Sequence, residues 1–107
     1  GKRIAELGEL YYLPMAPHNV CGPVGTYAAA HVCAAVPNFL VLEYHFHLDE
    51  NWPRFVVPPE TGDSPLGADG HLIQGGKILM TEAPGVGLGI DEEHVRTRMR
   101  EDLGFLD

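Results

Sequence analysis

Hydrophobic and polar positions along the first 47 residues fall into runs of different period. Residues 2–10 set Ile4 and Leu7, with Tyr11 following, on one stripe and Lys2, Arg3, Glu6 and Glu9 elsewhere, which predicts the last turns of an amphipathic helix. Residues 12–16 are a short apolar run that predicts a strand, weakened by Pro14, which cannot donate to a ladder. Residues 22–36 are almost uncharged. Gly22-Pro23 puts proline in a first helical turn, where its missing N–H costs nothing, and Pro37-Asn38 ends the helix. A helix apolar on nearly every face must be covered on more than one side. Residues 39–44 then read as a continuous hydrophobic strand, the pattern of a strand buried on both faces of a parallel sheet.

Beyond His47 the pattern changes. Residues 48–70 mix prolines, Trp52 and acidic residues without periodicity and read as an irregular connection. Residues 71–74 and 77–81 flank Gly75-Gly76, a two-residue hairpin turn. Residues 83–89 hold three glycines and a proline and read as loop. Asp91 is an N-cap for a closing helix over 92–101, with acids in its first turn and Arg96, Arg98 and Arg100 later. The chain divides accordingly into 1–47, barrel-like strands and helix, and 48–107, a connection, hairpin and closing helix.

The strand–helix–strand order predicts an α/β fold. Parallel strands joined by a crossover helix present their C-terminal ends on one face. His18 closes the first apolar run and Glu43 the second, 25 positions later. This is how an α/β barrel carries catalytic groups, and it sets His18 and Glu43 side by side at the mouth of one pocket. Two strands and one apolar helix do not make a core, and an eightfold barrel needs about six more strands. The expectation is a piece of a larger protein, not an independent domain.

Composition narrows the partners. A chain of 107 residues with 45% hydrophobic and 21% charged residues is globular in character. A formal charge of −8 argues against nucleic acid and anionic membrane, which need a basic footprint. No apolar run reaches the length of a membrane span and no cleavable signal is visible, so the expected location is the cytoplasm. Cys21 and Cys33 have eleven residues between them and no metal-ligand pattern, and are expected to be reduced thiols.

The chemistry concentrates on few residues. An imidazole at His18 can accept a proton from a carbon acid and return it, although a histidine satisfied by backbone at a strand end fits the spacing equally. Glu43 ends a hydrophobic strand, where a carboxylate is costly unless paired; a site or an ion pair accounts for it. Asn19 follows His18 and is placed either to contact substrate or to shape the turn. His45 and His47 form an H-x-H pair followed by Glu50, a weak metal signal because Glu50 sits too close and flanking glycines are missing. His31 reads as a core histidine bonded to backbone. The Gly85-Val86-Gly87-Leu88-Gly89 run lacks the lysine and the βαβ setting of a phosphate loop.

The motifs Ala16-Pro17-His18-Asn19 with Gly22-Pro23, then Val36-Pro37-Asn38-Phe39 with Leu42-Glu43-Tyr44, resemble the end of the barrel in the enolase superfamily. The nearest branch is the mandelate racemase-like acid-sugar dehydratases, of the galactonate or gluconate dehydratase kind. Gly67-Ala68-Asp69-Gly70-His71-Leu72-Ile73 and the segment 83–92 are similar to that family's C-terminal segment, which returns toward the capping domain. The resemblance implies a (β/α)-barrel of the TIM type, of which this chain holds the C-terminal part. It further implies that His18 is the general base, oriented by an aspartate on an earlier strand, and that Glu43, with a raised pKa, donates a hydrogen bond to the enediolate. It implies a Mg2+ ion held by three carboxylates on strands outside this chain, so that no residue here is a metal ligand. The substrate class is a small acid sugar, and the complete protein is expected to be a homo-oligomer. A racemase or epimerase of a 2-hydroxy acid on the same scaffold is the alternative, and a non-catalytic binding module is a third reading.

Overall fold

A computed structural model describes residues 1–45 and 52–100. Helix α1 spans Lys2–Glu9 and helix α2 spans Pro23–Ala34. A 3-10 turn, Trp52–Phe55, leads into strand β1, Val56–Val57. Strands β2, Ile73–Gln74, and β3, Lys77–Ile78, precede β4, Gly89–Ile90, and helix α3, Glu92–Arg96.

The two segments expected as strands lie side by side and run parallel. Their ladder is short, with one bridge pairing Met15 and Phe39. Three main-chain hydrogen bonds set the register: Met15 N to Asn38 O at 2.7 Å, Leu40 N to Met15 O at 2.9 Å and Glu43 N to Pro17 O at 3.2 Å. Pro14 and Pro17 supply no N–H, which limits the ladder as the sequence implied. The Asn38 side chain fastens this end of the unit, its Nδ2 donating to Ala5 O and Leu13 O, both at 2.9 Å.

Helix α2 connects the two segments and buries one stripe: Pro23, Thr26, Tyr27, Ala30 and Cys33. The cover for that stripe comes from the later half of the chain. Tyr27, Ala30 and Leu72 form a buried cluster with Leu42, Leu66, Ile78, Met80 and Leu88 packed against it. Tyr27 OH donates to Leu79 O at 3.2 Å and accepts from Thr81 N at 3.3 Å. His31 Nε2 sits 3.0 Å from Val86 O, with its ring edge-on to Tyr27, in keeping with the backbone-bonded role read from the sequence. Gly87 adopts φ +81°, and a Cβ there would lie 3.2 Å from Tyr27 Cε1, so the loop needs glycine to close on the helix.

Several expectations change. The stripe of α1 does not face this core: Ile4 is 68% and Leu7 59% exposed, whereas Ala5 is fully buried. The loop at 83–89 ends in a strand, because Gly89–Ile90 pairs antiparallel with Val56–Val57. A pair this short, with Pro58 directly after β1, carries no period to read. The closing helix stops at Arg96, five residues short of the expected end, although Asp91 caps it as expected, accepting from His94 N at 2.8 Å. The hairpin forms as read: Ile73 pairs with Ile78 and Gln74 with Lys77. Gly75 and Gly76 both have positive φ, +55° and +75°, as a type I′ turn requires.

Candidate active site

The parallel register brings the ends of both segments together, because Glu43 N reaches Pro17 O and the next residue on the first segment is His18. His18 Nδ1 lies 2.5 Å from Glu43 Oε2, with the side chains 76% and 44% exposed. A carboxylate only accepts, so Nδ1 carries the hydrogen of this bond and Nε2 is the ring nitrogen left outside it. The same Oε2 accepts the main-chain N–H of Asn19 at 3.0 Å.

Two donors on one oxygen settle the protonation of Glu43. Its carboxyl is held below the ordinary carboxylate range, first by the Asn19 N–H and then by the charge and hydrogen bond of His18, with a smaller contribution from His45. This corrects the expectation of a raised pKa. The apolar surroundings assumed for it are outweighed by the hydrogen bond from Asn19 and by His18, so Glu43 is an ionised acceptor, not a donor.

Asn19 is 2% exposed, and its amide is spent within the chain. Nδ2 donates to Thr26 Oγ1 and to Glu43 O, both at 3.0 Å, and Oδ1 accepts from Cys21 N at 3.3 Å. The side chain expected to touch substrate is therefore turned into the protein. Thr26, 1% exposed and on α2, donates to Cys21 O at 3.2 Å and was not singled out in the sequence. Its only signal is that it is the sole serine or threonine of helix α2, seven residues after Asn19.

Among the described residues the other histidines, His45 aside, do not converge on this pair. His71 and His94 lie elsewhere, His71 N bonding Asp69 Oδ1 at 3.0 Å and His94 stacked edge-on to Phe55. His45 is described, but His47 and Glu50 lie outside the described residues, as does Glu101. Among the described residues no three His, Cys, Asp or Glu side chains gather as a metal site. Cys21 and Cys33 are free thiols, and burial raises the Cys33 pKa. No helix among the described residues is long and apolar enough to cross a membrane.

Comparison with known proteins decides the family, since residues 1–94 match the enolase C-terminal domain-like model. The chain belongs to that family. It is 40% identical over 106 residues to a D-xylonate dehydratase of Haloferax volcanii, covering 99% of this chain and 23% of that protein. It is 35% identical to a D-galactonate dehydratase family member ManD of Chromohalobacter salexigens, over 86% of this chain and 20% of that protein. A crystal structure of a mandelate racemase/muconate lactonizing enzyme-like protein from Rubrobacter xylanophilus superposes with a TM-score of 0.82 at 48% identity, covering 99% of this chain and 25% of that one. The chain thus spans a quarter or less of the length of these relatives.

Proposed function

We propose that this chain is the C-terminal portion of an acid-sugar dehydratase, a hydro-lyase that removes the proton alpha to a carboxylate and expels the beta hydroxyl. The observation that carries the reading is the contact of His18 Nδ1 with Glu43 Oε2 at the adjacent ends of a parallel pair. Relatives named as D-xylonate and D-mannonate dehydratases, 40% and 32% identical, support the substrate class.

In this mechanism His18 takes the alpha proton on Nε2, the nitrogen its hydrogen bond to Glu43 leaves free. The ionised Glu43 holds the ring in that tautomer and stabilises the imidazolium formed on proton transfer. Glu43 thus orients the base, in place of the enediolate-donor role that the resemblance implied. Asn19 holds Glu43 rather than the substrate. The acid that protonates the departing hydroxyl comes from residues outside this chain. Magnesium belongs to the reading as the ion that neutralises charge on the substrate carboxylate. The described residues do not fit it, and its ligands are assigned to earlier barrel strands. Completion of the barrel by those strands, the return of 48–107 toward a capping domain, and a cytoplasmic homo-oligomer are parts of the same proposal.

The test is deuterium wash-in at the alpha carbon of aldonic acids, followed by NMR on the full-length enzyme with magnesium. His18→Asn is expected to lose on the order of 10²- to 10⁴-fold in exchange rate, the usual contribution of a positioned base, with magnesium binding unchanged. Exchange at the wild-type rate would remove His18 from the role of base. Glu43→Gln keeps an acceptor oxygen but loses its charge, so a smaller loss is expected.

A further inference from the structure

Asn19 and Thr26 are the buried polar side chains among the described residues, 2% and 1% exposed; Asn19 bonds Glu43 directly and Thr26 bonds Asn19. The two side chains meet at two atoms, since Thr26 Oγ1 also lies 3.4 Å from Asn19 Oδ1 as a second, longer acceptor for its hydrogen. The Thr26 hydroxyl, fixed on α2, accepts from Asn19 Nδ2 at 3.0 Å and donates to Cys21 O at 3.2 Å. The other Nδ2 hydrogen ties Asn19 to Glu43 O at 3.0 Å, and the Asn19 main-chain N–H, placed by that side chain, meets Glu43 Oε2 at 3.0 Å. Glu43 is thereby gripped at its main chain and at its carboxylate by one residue, and that residue is anchored by a helix. Buried polar groups of this kind are costly when unpaired and, when fully satisfied, select one arrangement.

We propose that Thr26 is a positioning residue of the active site, its hydroxyl locking the Asn19 amide so that Glu43 Oε2 stays under His18 Nδ1. This rests on the reading of His18 as base but reaches a residue that reading does not contain. Shaping the turn alone would need only the bonds between Asn19, Thr26 and Cys21. The bonds from Asn19 to Glu43 cross 24 residues of chain and serve the site.

Thr26→Val keeps the shape of the side chain and removes the hydroxyl, leaving one Asn19 hydrogen and Cys21 O without partners. Thr26→Ser keeps the hydroxyl. The experiment combines crystal structures of the full-length wild type, T26V and T26S with alpha-proton exchange kinetics on the same proteins. In T26V, Glu43 Oε2 is expected to move out of hydrogen-bond range of Asn19 N, and kcat for exchange to fall about 10- to 100-fold, the cost of a misplaced group, with KM unchanged. T26S should restore both. A T26V crystal structure with the Asn19–Glu43–His18 contacts intact overturns the proposal, as does a loss confined to KM or one that serine does not recover. If T26V does not fold, T26A carries the same comparison. Undiminished exchange in His18→Asn would dismiss the dehydratase reading alone, because displacement of Glu43 in T26V would still establish the clamp.

Discussion

Two hydrogen-bond donors converge on Glu43 Oε2, and this single oxygen links the chemistry of the site to its stability. With its pKa depressed in the folded protein, Glu43 binds a proton there at lower pH than in the unfolded chain. Its contribution is therefore complete above the ordinary carboxylate range and is lost as pH falls through the folded-state value. In the full-length enzyme, Glu43→Gln should lower the urea midpoint at neutral pH, and the gap from wild type should close in acid. A gap that stays constant across pH would show that the carboxylate charge is not what Asn19 and His18 hold. Residue types pointed to His18 and Glu43, but the direction of the Glu43 shift was not legible. It depends on a main-chain N–H whose placement no side-chain pattern encodes.

Elements differ in how much they owe to local sequence. The β2–β3 hairpin is local: Gly75-Gly76 sits between two-residue strands, and both glycines occupy the left-handed region. A non-glycine residue there costs roughly 1–2 kcal/mol. Gly76→Val in the full-length protein should destabilise by about that amount, measured by urea denaturation, with alpha-proton exchange in the folded enzyme retained. An unchanged midpoint would mean that the hairpin contributes nothing to the cooperative unit. Helix α1 closes differently, with Tyr12 at φ +57° where glycine is usual, Leu13 N bonding Gly8 O at 2.9 Å and Tyr12 N bonding Glu9 O at 2.9 Å. This is a Schellman ending, and nothing in the sequence announces it, because tyrosine is a poor residue for the position. Helix α2 was legible as an apolar helix with a proline start. Which stripe it buries was not, since nearly every face is apolar.

At the scale of the molecule the chain is loosely closed. Its radius of gyration is 15.4 Å, against about 13 Å for a compact domain of this size. Leu40 is 65% and Val41 52% exposed, and an apolar cavity of about 410 Å³ lies between α2, residues 39–42 and the β2–β3 hairpin. Tyr27, by contrast, finds its cover within the chain, from Leu72, Ile78, Met80 and Leu88. Leaving several large apolar side chains in water forfeits about 1.5–3 kcal/mol each, comparable in sum to the roughly 5–15 kcal/mol stability of a domain. Residues 1–107 expressed alone are therefore expected to show no cooperative thermal transition by calorimetry. A sharp transition in a monodisperse monomer would contradict this. The sequence by itself determined the opening helix–strand–helix–strand order, the hairpin turn, the cap at Asp91 and the two residues that end the parallel segments, because each is written in periods and turn chemistry over a few neighbours; the β1–β4 pair was not among them. Only the tertiary structure decided that Asn19 faces inward, that Thr26 anchors it, that Glu43 is ionised and that the later half of the chain covers α2. Those outcomes rest on hydrogen bonds and packing between residues 7 to 55 positions apart, and no local pattern carries that information.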